Sequence, residues 1–244
     1  MAPADVVDVA EAAALVADGA TVLDARGPVA FLRGHVPGAV RVSWRIGTTG
    51  GLLSGKMGDP GEAAAAFAAL GVDDARPVLV VGDWEAGWGE EGRVAWDLAW
   101  LGHPDVNVLR GGMAAWTGPV DHLGDAPRAG RFTPRVRDDL RATREEVAAG
   151  DALIVDVRDP DEFAGARKYG EAAGGHVPGA INVPWRDLVG ASEPLPRDRE
   201  ILLYCTGGVR SAIAWLWLVE SGYSEVKQYD GSWWEWSQAG PIER

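Results

Sequence analysis

The sequence predicts an α/β protein of two domains, each a parallel β-sheet with helices on both faces. Three observations predict it: short apolar runs alternate with helix-like stretches, the same order of motifs occurs twice, and a segment rich in Gly, Pro and Asp separates the two copies. Strands joined through helices run parallel and are buried on both sides. The expected division is residues 1–118, a linker over 119–134, and residues 135–244.

In chain order, Asp8 with Glu11 forms a helix-start signal ahead of an Ala-rich run that Gly19 ends, and Thr143 with Glu146 repeats it before Gly150. An apolar strand with an acidic end follows each: residues 21–24 closing on Asp24, and 153–156 closing on Asp156, with Arg26 and Arg158 two positions on. Pro28 or Pro160 comes next, then Phe31 or Phe163. Gly34-His-Val-Pro-Gly-Ala39 then matches Gly175-His-Val-Pro-Gly-Ala180, followed by Trp44-Arg45 and Trp185-Arg186. So long a run of identities at corresponding places marks an internal duplication.

The parallel continues. The apolar run 78–81 matches the strand before Cys205, and with Gly82 set against Tyr204, Asp83 falls where the second copy has Cys205. A helix over 94–101 and a strand over 106–109 precede Gly111, as Gly222 and a strand at Val226 precede Gly231. The copies differ in two places. The second carries about nine extra residues before its His-Val-Pro-Gly block, Arg167 and Lys168 among them. The first has an acidic loop, residues 83–92, in place of the short cysteine turn, so only the second copy is equipped for chemistry.

Cys205 is the single cysteine, lying between a buried strand and the apolar helix that reaches Val219. A strand feeding a helix through Gly207-Gly208 directs successive backbone N–H groups into the turn, and the helix end adds partial positive charge. A thiol there has its pKa drawn below about 8.5, because the amides and helix end stabilise the thiolate. Arg210 closes this anion cradle near the helix start. The net charge of -13 argues against nucleic acid or an anionic membrane as the main partner, so an anionic substrate needs local positive potential. A lone cysteine excludes an internal disulfide and a Cys-x-x-Cys zinc site. With no basic leader and no apolar run long enough to span a bilayer, the expected location is the cytoplasm, and no metal or cofactor is expected.

The paired Asp-x-Arg, Gly-His-Val-Pro-Gly-Ala and strand-Cys-loop-helix patterns resemble the tandem-domain rhodanese sulfurtransferases over nearly the whole chain. The resemblance implies two rhodanese-like domains, the second catalytic and the first inactive. It implies a ping-pong reaction in which Cys205 takes a sulfane sulfur from a small anionic donor, becomes a persulfide, and passes it to cyanide, a thiol or a protein sulfur acceptor. Thr206, Gly207, Gly208, Val209, Arg210 and Ser211 then form the substrate-binding loop, with Arg167 and Lys168 as further substrate contacts. The familiar loops read Cys-Arg-Lys-Gly-Val-Thr for thiosulfate enzymes and Cys-Gly-Ser-Gly-Val-Thr for mercaptopyruvate enzymes. Here Gly207 replaces the lysine or serine, and Glu162 stands where both groups commonly carry arginine. The retained Arg210 and missing serine favour thiosulfate over 3-mercaptopyruvate.

Two other functions compete: a phosphatase or arsenate reductase, whose Cys-x5-Arg loop is one residue longer than Cys205-x4-Arg210, and a non-catalytic persulfide carrier. His35 and His176, being duplicated in a copy without cysteine, are read as parts of a structural turn. Asp24-Arg26 and Asp156-Arg158 are read as ion pairs at strand ends. Trp215 and Trp217 fill the core, while Trp233, Trp234 and Trp236 either pack or wall the pocket.

Overall fold

A computed structural model describes residues 2–124, 126–189, 191 and 195–244; Asp125, inside the expected linker, lies outside the described residues. The chain forms two compact units, Met1–Gly47 with Gly58–Arg137, and Thr48–Met57 with Asp138–Arg244.

The first unit runs β1 (Asp5–Val7), α1 (Val9–Ala17), β2 (Thr21–Asp24), α2 (Pro28–Arg33), β3 (Val40–Arg41), α3 (Pro60–Ala69), β4 (Val78–Val81), α4 (Glu90–Trp100), β5 (Val106–Leu109) and α5 (Gly112–Ala115). Its sheet has the order β1-β5-β4-β2-β3, with every pairing parallel. The expected capping pair starts α1: Asp8 accepts the Ala10 and Glu11 N–H groups, and Glu11 accepts that of Asp8. The Val-Leu-Val-Val of β4 is buried throughout, as a central parallel strand requires. Part of the stretch expected as a linker is tied to this unit: Asp121 exchanges backbone bonds with His35, and Gly130 donates to Ala68.

The second unit runs α6 (Arg144–Ala149), β6 (Leu153–Asp156), α7 (Pro160–Phe163), β7 (Ile181–Asn182), α8 (Trp185–Leu188), β8 (Ile201–Tyr204), α9 (Arg210–Glu220), β9 (Val226–Gln228) and α10 (Ser232–Ala239). Its sheet, β7-β6-β8-β9, is also wholly parallel. Residues 48–57, from the first sequence copy, fold as a hairpin on this unit. Thr49 N–H bonds to the Lys56 carbonyl at 2.8 Å, Met57 N–H to the Asp230 carboxylate at 2.7 Å, and Lys56 Nζ to Glu235 at 2.6 Å. Among the described residues no helix is long and apolar enough to cross a membrane.

The repeat has one geometry in both units. Arg26 pairs with Asp24 and donates to the Gly34 carbonyl at 2.7 Å; Arg158 pairs with Asp156 and donates to the Gly175 carbonyl at 2.8 Å. These buried pairs fasten the end of β2 or β6 to the start of the Gly-His-Val-Pro-Gly turn. His35 stacks on Phe31 and bonds through Nδ1 to its carbonyl, as His176 does with Phe163, so both histidines lock the turn. Trp215 and Trp217 are buried, as expected of core residues.

Sheet register corrects one alignment. Asp24 pairs with Val81 and Asp156 with Tyr204, so Val81 corresponds to Tyr204 and Gly82, not Asp83, to Cys205. Matching apolar runs alone leave a one-residue slip open, whereas the parallel ladder removes it.

Candidate active site

β8 is an interior strand, and Cys205 follows it directly at the carboxyl end of the sheet, where open α/β folds place ligands. The backbone turns through Gly208, whose φ of +81° suits glycine, and enters α9 at Arg210. This turn brings the Gly208 N–H to 3.1 Å from Cys205 Sγ and the Ser211 hydroxyl to 3.6 Å. From below, Cys205 N–H donates to Ser232 Oγ at 3.2 Å, and its carbonyl accepts the Trp233 N–H at 3.0 Å. The loop is therefore anchored on both sides of the sulfur.

The thiol is 1% exposed. Burial by itself pushes its pKa up, but the Arg210 charge, the Ser211 amide and hydroxyl, and the Gly207 amide together hold it below the ordinary thiol value. The surroundings of the sulfur thus favour the thiolate, the nucleophilic form.

Arg210 does not stand free over the loop. It donates to both oxygens of Glu162, at 2.7 and 2.9 Å, and to Thr206 Oγ1 at 2.7 Å, while the Thr206 hydroxyl donates to Glu162 at 3.0 Å. Burial pushes the Glu162 carboxyl up, yet the Arg210 bonds and charge hold it below its usual range. Tyr169 places its ring 5.7 Å from the Arg210 guanidinium. The other expected site residues take several positions. Gly207 lies against the Trp234 ring and Gly55 of the hairpin, with no room for a side chain, and Val209 precedes α9. Arg167 donates to the Ala172 carbonyl at 3.3 Å, and Lys168 pairs with Asp161 at 2.8 Å and Asp159 at 3.7 Å. The fold thus brings Thr206, Gly208, Arg210 and Ser211 around Cys205, while Arg167 and Lys168 bond within their own segment.

The open alternative for the three tryptophans resolves by position. Trp233 and Trp236 belong to the core, whereas Trp234 covers Gly207, its Nε1 held by the Tyr169 carbonyl at 3.0 Å. Sequence reasoning did not assign Glu162, Tyr169, Ser232 or Gly55 to the site. Only Glu162 left a signal, an acid where related loops have a base.

In the first unit the same turn holds different chemistry. Gly82 occupies the cysteine position, and a side chain there would collide with the Glu91 carboxyl. Glu91 is the second residue of α4, as Ser211 is of α9. Its carboxyl is fully buried, and neither oxygen makes a hydrogen bond of good geometry among the described residues. Burial raises its pKa to about 8, with Glu90 and Asp83 adding to the shift against the Trp84 and Glu91 amides. A carboxyl therefore fills the place of the sulfur.

The family described as rhodanese-like domain matches residues 8–119 and 139–239. A thiosulfate sulfurtransferase of Pseudomonas aeruginosa is 32% identical over 241 residues, covering 88% of this chain and 86% of that one. The sulfur carrier protein TtuD of Thermus thermophilus is 30% identical over 237 residues, covering 83% and 82%. Among solved structures, SseA of Escherichia coli, described with the 3-mercaptopyruvate sulfotransferases, superposes with a TM-score of 0.78 at 25% identity, covering 93% of this chain and 98% of that one.

Proposed function

The chain belongs to the rhodanese-like family, a sulfurtransferase with two such domains, and on that premise we propose that Cys205 carries the transferred sulfur. The observation that carries this reading is the sulfur itself, buried, held below its ordinary pKa, and met by the Gly208 amide and Ser211 hydroxyl at the head of α9. In the first half-reaction the Cys205 thiolate attacks the outer sulfur of thiosulfate. The S–S bond of the donor breaks, sulfite leaves with the electron pair, and Cys205 becomes a persulfide. With 3-mercaptopyruvate the bond broken is C–S. In the second half-reaction cyanide or a thiol attacks the outer sulfur and Cys205 returns as thiolate. The Gly208 amide, the Ser211 hydroxyl and the end of α9 stabilise the anionic sulfur in both states.

Thiosulfate as donor rests on the relatives' names. The test is thiocyanate formation from thiosulfate and cyanide, with Cys205→Ser as control; turnover in that variant would remove the assignment. A carrier role, in which a protein accepts the sulfur, is supported by the likeness to TtuD. A +32 Da adduct on Cys205 that small acceptors fail to discharge would favour it. Against phosphate ester hydrolysis stands Arg210, whose terminal nitrogens are engaged by Glu162. The reading places the reaction in the cytoplasm, where the single free cysteine stays reduced.

A further inference from the structure

Ser232 holds a backbone conformation that its side chain disfavours. It is fully buried and its φ is +51°, a left-handed value at which a side chain crowds the backbone. Among the described residues Trp84 is the one other non-glycine with a positive φ. In the first unit the corresponding place is Gly112, with φ +58°. The correspondence rests on a shared bond from the next residue: Met113 N–H to the Gly82 carbonyl at 2.9 Å, and Trp233 N–H to the Cys205 carbonyl at 3.0 Å. The turn is thus common to both units, but the unit with the thiol carries serine where the other carries glycine. A strained residue kept beside a reactive group points to a use for its side chain.

The Ser232 hydroxyl accepts the Cys205 N–H at 3.2 Å and donates to the Tyr229 carbonyl at 2.8 Å, tying the chain beyond β8 to the chain beyond β9. Cys205 is buried, so its N–H needs a partner within the protein. The left-handed turn also presents the first amides of α10 to the cysteine loop: Trp233 N–H takes the Cys205 carbonyl and Trp234 N–H takes the Thr206 carbonyl at 2.9 Å. In a planar trans peptide the carbonyl and the following N–H point opposite ways. With both carbonyls drawn towards α10, the Thr206 and Gly207 N–H groups face away from it, and the Gly207 N–H is one of the groups that favour the anionic sulfur.

Resting on the sulfurtransferase reading, we propose that Ser232 is a positioning residue for Cys205: its left-handed backbone and its hydroxyl fix the peptide planes of the cysteine loop, so that the loop amides converge on Sγ. It acts through the backbone of Cys205.

The test replaces Ser232 with glycine, which keeps the left-handed turn as Gly112 does and removes the hydroxyl. Ser232→Gly lowers kcat for thiocyanate formation ~10-fold with KM within ~2-fold of wild type, the scale of one buried hydrogen bond felt after substrate is bound. The midpoint of iodoacetamide alkylation of Cys205 against pH moves upward, because amides that have swung aside no longer stabilise the thiolate. Ser232→Ala, which lacks the hydroxyl and keeps the strained φ, shows the same upward shift with a lower urea midpoint than Ser232→Gly. A merely structural serine would change only the urea midpoints; an alkylation midpoint and kcat at wild-type values in folded Ser232→Gly overturn the proposal. Absence of thiocyanate formation in the wild type overturns instead the sulfurtransferase reading on which it rests.

Discussion

Gly82 and Glu91 share one space: the glycine leaves out the side chain whose place the carboxyl takes. The same fold position is thus filled by a thiol in one unit and by a buried acid in the other. Burial raises the pKa of the acid, whereas the surroundings of the thiol lower its pKa.

Stability of the first unit should fall as the pH rises. Glu91 ionises near 4.5 when unfolded and near 8 when folded, so the folded state holds the proton more tightly. Its contribution is complete below the unfolded value and is lost as pH rises through about 8, at no more than about 1.4 kcal/mol per pH unit. Urea midpoints between pH 5 and 9 should slope downward in the wild type and flatten in Glu91→Gln, with the pH values here marking roughly that window. Equal slopes would assign the pH dependence to other groups.

The acid limb of the activity profile should report the lowered Cys205 pKa. As pH falls through that value the thiolate is protonated and the rate drops. Arg210 is the largest of the influences lowering it. The double variant Glu162→Gln with Arg210→Gln leaves no lone buried charge, removes the Arg210 influence and should move the limb upward. Iodoacetamide alkylation rates against pH measure the same shift without turnover.

Gly55→Ala should disturb the hairpin that lies over the cysteine loop. A methyl group there would collide with the Gly207 carbonyl, a backbone atom that cannot turn aside. Overpacking of this kind costs about 1–3 kcal/mol, read as a lower urea midpoint together with faster alkylation of Cys205. Gly27→Ala, which meets open space, serves as the comparison.

Asp156→Asn should destabilise by about 3–5 kcal/mol, because it strands the fully buried Arg158 guanidinium. Asp24→Asn should do the same in the first unit, where the pair has the same geometry. Chemical denaturation of both variants checks this, and a cost below about 1 kcal/mol would make the pairs dispensable.

What could be read along the chain was local or repeated. The capping pairs at Asp8 and Thr143 act within three residues, and the Asp-x-Arg pairs within two, so each carries its geometry in its spacing. The six-residue turn was legible because it occurs twice. What could not be read depended on distant partners: Glu162 reaches Arg210 across 48 positions, and Trp234 reaches Tyr169 across 65. The register at Gly82 needed the neighbouring strand, since apolar runs of equal length align equally well one step apart.

Duplicated genes usually leave each copy free to decay. Here the copy without a thiol lends ten residues, Thr48–Met57, to the fold of its sibling, and Lys56 and Met57 fasten them to Glu235 and Asp230. Deleting the first sequence copy would remove this hairpin from the second unit. A cut at the boundary between the sequence repeats would therefore separate the second sheet from a hairpin that folds with it.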